Sequence, residues 1–149
     1  MTTPHWNAFQ FLIGEWQGVG GGSPGQGGGR MAFRFDLQQQ VLLRTSHMDF
    51  TATPDRPAFS HDDLTVIYPP PAGVLRATYF DNEGHIIQYV VTTENDGIVF
   101  LSDPVPGQPR FRTTYLKRPQ GKVLTRFEIS NSGDEKDFSV YVEGLSSRV

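Results

Sequence analysis

The sequence predicts an all-β domain: a single closed, antiparallel, up-and-down β-barrel of about ten strands preceded by a short helix. Three observations predict it. From Glu15 onward apolar and polar residues alternate with period two, and turn residues punctuate the alternation at short intervals. Eleven Phe, five Tyr and two Trp suit pleated, half-buried surfaces. Three hairpins can be read in which loop chemistry and face chemistry agree.

The helix comes first. Thr3 is placed to cap it, Pro4 suits its first turn, Trp6, Phe9 and Ile13 fall on one face, and Gly14 stops it. Strands are then expected over 15–22, 30–38, 41–52, 62–68, 74–81, 85–93, 98–102, 109–117, 122–131 and 137–145. That number is too many for a small two-sheet domain and suits closure into a barrel. The loop Pro119-Gln120-Gly121 fits a type I turn with Gly121 in the left-handed bulge position. Its register sets Phe111 opposite Ile129, Thr113 opposite Phe127 and Tyr115 opposite Thr125, with Arg112 opposite Glu128 on the other face. The loop Asn82-Glu83-Gly84 pairs Tyr79 with Ile87, Ala77 with Tyr89 and Leu75 with Val91. A third hairpin brings Phe138, Val140 and Val142 beside Ile129, Phe127 and Thr125. The glycine-rich stretch 23–29 reads as a flexible loop and 52–60 as a connection, with one domain over 1–149.

Composition narrows function. Without cysteine there is neither a disulfide framework nor a thiolate metal site. The net charge is −3 and the basic residues are scattered, a poor footprint for nucleic acid or an anionic membrane. No apolar run approaches the ~20 residues that span a bilayer, and the N-terminus lacks the pattern of a signal peptide, so a cytoplasmic protein is expected.

The stretch Phe11-Leu12-Ile13-Gly14-Glu15-Trp16-Gln17-Gly18-Val19-Gly20-Gly21-Gly22 carries a family resemblance. A short helix followed by Gly-x-Trp resembles the opening of the calycins, the lipocalins and fatty-acid-binding proteins. The glycine series resembles that of the nitrobindin-type barrels in particular. The resemblance implies a lipocalin-like barrel in which a late basic residue packs across Trp16, with Gly14, Trp16 and Arg148 closing one end and Arg126 as the alternative to Arg148. It also implies haem bound through a histidine on the last strand, but that strand, Phe138 to Arg148, has none. The Arg-x-Tyr with which fatty-acid-binding proteins hold a carboxylate is likewise missing, since Arg126-Phe127-Glu128 lacks the tyrosine.

The inward aromatic set is the main candidate site. Trp16, Phe33, Phe35, Met48, Phe50, Tyr79, Tyr89, Phe111, Tyr115 and Phe127 are expected to face a ligand, with Met31 and Phe138 beside them; the alternative is a core packed solid. Polar anchor candidates are Arg44, His47 and Arg126. An inward Arg44 needs a buried partner or an anionic ligand, so a bulge turning it outward is the simpler expectation. His47 shares a face with Thr45 and Asp49 and is expected outside; with the faces inverted it becomes the ligand to haem or a base. His61-Asp62-Asp63 reads as a solvated strand entrance and His85 as a surface residue. No histidine spacing suggests a metal, the glycine run lacks a Gly-Lys-Ser/Thr ending, and no nucleophile elbow or triad is legible. The expected function is therefore binding or transport of a hydrophobic or amphipathic small molecule, without catalytic residues, metal or cofactor. A haem-dependent barrel is the alternative, and a packed barrel acting through its surface, for instance as a homodimer, is the third reading.

Overall fold

The computed structural model describes residues 4–22 and 27–149, so the expected Thr3 cap and the loop at 23–26 lie outside the described residues. Ten antiparallel strands form a closed barrel: β1 (Gly14–Gly22), β2 (Gly27–Asp36), β3 (Val41–Phe50), β4 (Phe59–Tyr68), β5 (Arg76–Asp81), β6 (Ile86–Glu94), β7 (Gly97–Ser102), β8 (Arg110–Arg118), β9 (Lys122–Ser130) and β10 (Ser139–Arg148). Each strand pairs with its neighbours in sequence, and β10 returns to β1.

The first two expected hairpins have the expected register. Phe111 stands opposite Ile129, Tyr115 opposite Thr125, and Tyr79 opposite Ile87. Arg112 makes a two-pronged ion pair with Glu128 at 3.0 Å on the outer face. The third hairpin differs. A bulge between Val140 and Val142 sets Val140 opposite Glu128, on the outer face, and Val142 opposite Phe127. Phe138 also lies outside, beneath the guanidinium of Arg112. Boundaries move as well, by three residues at β2, which starts at Gly27 within the expected glycine loop, at β4, which starts at Phe59 instead of 62, and at β10, which runs on to Arg148 instead of 145.

The N-terminal segment is a 3-10 helix over Pro4–Leu12. Three residues per turn put Trp6, Phe9 and Leu12 in line, all buried, so Leu12 takes the place that an α-helical period assigns to Ile13. The helix covers one end of the barrel, with Trp6 donating from Nε1 to the Gln39 carbonyl (2.9 Å) in the β2–β3 turn. Trp16, buried at the same end, donates from Nε1 to the Leu12 carbonyl at 2.8 Å. Arg148 lies opposite Trp16 in the β1–β10 ladder, stacks over its ring at 4.4 Å, and donates to the carbonyls of Ile13 (2.6 Å) and Phe11 (3.1 Å). Gly14, at φ +126°, leaves room for that guanidinium; a Cβ there would stand 2.7 Å from Arg148 Nη1.

Glycine is also required where neighbouring strands approach most closely. A Cβ on Gly29 would lie 1.9 Å from the His47 carbonyl oxygen, whereas one on neighbouring Gly28 meets nothing nearer than 3.4 Å. Gly29→Ala is therefore expected to cost about 1–3 kcal/mol through overpacking. Gly28→Ala should stay within about 0.5 kcal/mol of the parent. Urea unfolding of the two variants side by side checks the difference.

Candidate functional site

The barrel is hollow. A cavity of about 320 Å³ opens at the end opposite the helix, with Phe50, Arg56, Phe59, Glu83 and His85 around its mouth. The size falls in the range of small-molecule sites. Alternation along each strand aims every second side chain inward. Met48 and Phe50 of β3, Tyr79 and Tyr89 of β5 and β6, and Phe111, Tyr115 and Phe127 of β8 and β9 all line the space, as the alternation predicts. Trp16, Phe33 and Phe35 are inward but lie toward the closed end, outside the cavity lining. Phe33 packs edge-on against Tyr115 at 5.3 Å, and Phe35 packs against Trp6 at 5.7 Å. Met31 lines a smaller hollow of about 80 Å³ beside Gly18, Gly20 and Gly144.

The polar wall departs most from expectation. Arg44 has no bulge at its position; it is paired in register with Thr65 and its side chain, 14% exposed, lines the cavity. Its partner is Asp63 on β4, which takes a guanidinium proton from Arg44 Nη1 in a hydrogen bond, a second from Ser46 Oγ at 2.8 Å, and sits 3.2 Å from His61 Nε2. The earlier start of β4 adds His61 to this group. With the strand beginning at Phe59, residues 59, 61, 63, 65 and 67 face inward, so His61 joins Asp63 in the cavity wall instead of standing at a solvated entrance. From His61 the chain of contacts continues outward: His61 Nε2 to Tyr79 Oη at 3.0 Å, Tyr79 donating to Asp81 at 2.9 Å, and His85 Nδ1 on Asp81 at 2.9 Å. His61 Nδ1 faces Glu83 at 3.3 Å.

Electrostatics follow from these contacts. Burial pushes the Asp63 carboxyl up, but the charge of Arg44 and the bonds from His61 and Ser46 outweigh it and hold the group below the usual carboxylate range. Burial likewise opposes the charge of Arg44, yet Asp63 keeps it protonated. The hydrogen bond to Asp63 raises the His61 imidazole above its ordinary value, and Glu83 adds to this against partial burial. Burial drives the Tyr115 phenol up to about 12 and raises Tyr79 and Tyr89 as well, so all three present neutral hydroxyls.

The other two anchor candidates lie elsewhere. His47 is on the outer face, between Asp62 (2.6 Å) and Asp49 (3.1 Å), because it alternates with the inward Ser46 and Met48. Arg126 is outside too, paired with Glu143 at 2.6 Å; it is Arg148 that packs on Trp16. These positions bear on haem, which needs a ligand with a free nitrogen facing the porphyrin. His47 faces away from the interior, and both ring nitrogens of His61 are engaged. His85 stands at the mouth with more than half its side chain in solvent. Neither His47 nor His61 offers that nitrogen.

Fold and site together define a class: a closed ten-stranded barrel with an internal, largely aromatic cavity. No family model matches the chain, and no curated protein matches it. Among solved structures it is similar to Rv2717c from M. tuberculosis, at 15% identity and a TM-score of 0.63, over 100% of this chain and 99% of that one. A likeness at that identity speaks for the fold.

The Arg44–Asp63 pair sets the first test of the site. Asp63→Ala leaves Arg44 buried and unpaired and is expected to cost about 3–5 kcal/mol, whereas replacing both, as Arg44→Met with Asp63→Leu, costs far less or nothing. The stability that Asp63 contributes is complete above the ordinary carboxylate value and is lost as pH falls through the lower value it has in the fold. The double variant should therefore lose less stability on acidification. Urea titrations at a series of acidic pH values measure both effects.

Proposed function

We propose that this barrel binds and carries a small amphipathic molecule inside its cavity. The observation that carries the reading is the combination of an aromatic hollow of about 320 Å³ with a hydrogen-bonded polar wall along one side. An apolar body gains from leaving water for the aromatic side, at about 25 cal/mol per Å² of buried surface. The neutral hydroxyls of Tyr79, Tyr89 and Tyr115 and the groups around Asp63 orient a polar end. The opening among Arg56, Glu83 and His85 supplies the route of entry. Arg44, Asp63, His61 and Tyr79 are the residues proposed to govern the polar end; Met48, Phe50, Phe111, Tyr115 and Phe127 are those proposed to hold the body.

The test is displacement of an apolar fluorescent dye, together with native mass spectrometry of protein taken from cells. The dye should bind saturably and be displaced by long-chain amphiphiles. Thr113→Phe, which adds a ring to the cavity wall and removes the hydroxyl that Tyr89 bonds, should weaken dye binding by about tenfold or more at a stability cost of about 1–3 kcal/mol. Dye binding unchanged by Thr113→Phe, or no saturable binding and no copurified small molecule, contradicts the proposal.

A further inference from the structure

We infer that the ligand's polar end is uncharged, a hydroxyl or carbonyl oxygen, and that a carboxylate is discriminated against. This rests on the carrier reading above and sharpens it by charge. Each deep or wall cation among the described lining residues has its own carboxylate. Arg44 is paired with Asp63, His61 faces Glu83 at 3.3 Å as well as Asp63 at 3.2 Å, and His85 holds Asp81 at 2.9 Å. Arg56 at the rim and Arg30 beside the smaller hollow are the exceptions; both are exposed, where solvent screens them, and the Arg56 guanidinium lies 3.7 Å from the centre of the Phe59 ring.

The interior therefore carries no unanswered positive charge for an anion to meet. The lining carboxylates Asp63, Asp81 and Glu83 outnumber the lining arginines Arg44 and Arg56, which repels an anion further. An unpaired carboxylate loses its hydration in such a space with nothing to replace it. A neutral oxygen has far less to lose, and the wall offers it partners. Arg44 Nε and Thr125 Oγ1 are buried with no hydrogen-bond partner in the protein, and both residues line the main cavity and the smaller hollow beside it. A threonine hydroxyl can donate or accept, and an arginine N–H needs an acceptor, so a ligand hydroxyl or carbonyl answers both.

The experiment compares dodecanol, methyl dodecanoate and dodecanoic acid by dye displacement in mildly alkaline buffer, where the acid is ionised. The alcohol and ester are expected to bind about tenfold or more tighter than the acid. Asp63→Asn leaves the charge of Arg44 unanswered and should shift the acid-to-alcohol ratio toward the acid by about tenfold or more. If that variant does not fold, the ratio in the parent protein decides alone. An acid that binds the parent as tightly as the alcohol overturns the inference and leaves the carrier reading standing, as does a folded Asp63→Asn protein with an unchanged ratio. Failure of all three compounds to bind overturns the carrier reading, and this inference with it.

Discussion

The guanidinium of Arg148 lying on the indole of Trp16 is the contact on which the rest of this structure depends. It joins the last strand to the first at the point where the barrel must shut, and it reaches across to the carbonyls of Phe11 and Ile13, so the N-terminal 3-10 helix is held over the same end. The helix in turn accepts the Trp16 indole proton through Leu12 and buries Trp6, Phe9 and Leu12. One end is thereby sealed with apolar side chains and satisfied backbone groups, and the cavity opens at the other. Closure also removes the exposed strand edges that an open sheet would present.

A closed barrel allows polar residues inside only if they answer one another. The wall of β3, β4 and β5 does this in sequence from the interior to the mouth, through Arg44, Asp63, His61, Tyr79, Asp81 and His85. Every charged member has its opposite within hydrogen-bond reach. Such networks rigidify a wall when complete and are costly when broken. The rest of the hollow is largely apolar; its rings meet edge to face between Tyr79 and Tyr89 and between Phe100 and Tyr115, and stack between Phe50 and Phe59 and between Phe111 and Phe127. The outcome is one polar stripe in an otherwise apolar chamber.

The barrel was legible because its strands alternate plainly and its two tight hairpins use turn residues that fix register. Trp16 and Arg148 were legible through the glycine-tryptophan opening. What escaped the sequence was the polar wall. Phe59-Ser60-His61-Asp62-Asp63 looks like a solvated entrance because its inward positions include a histidine and a carboxylate, and period-two reasoning treats polar side chains as outward. Arg44 gave the needed signal: an arginine at an inward position of β3 calls for a carboxylate on the adjoining strand, and Asp63 was within register reach. The bulge at Val140–Val142 and the 3-10 period of the helix also escaped, since the bulge inserts a single residue and the 3-10 turn is shorter than an α turn by only about 0.6 residue. Chemistry that depends on which face a residue occupies is therefore less secure from sequence than the count and order of strands.

Intermolecular nuclear Overhauser effects from bound dodecanol test most directly whether the proposed guest occupies the barrel's interior. Cross-peaks from the alkyl chain to the rings of Phe111, Tyr115 and Phe127 in the cavity wall are expected. Cross-peaks confined to Leu64, Phe80 and Ile86, whose side chains are exposed on adjoining strands, would place the molecule on the outer surface and contradict that placement.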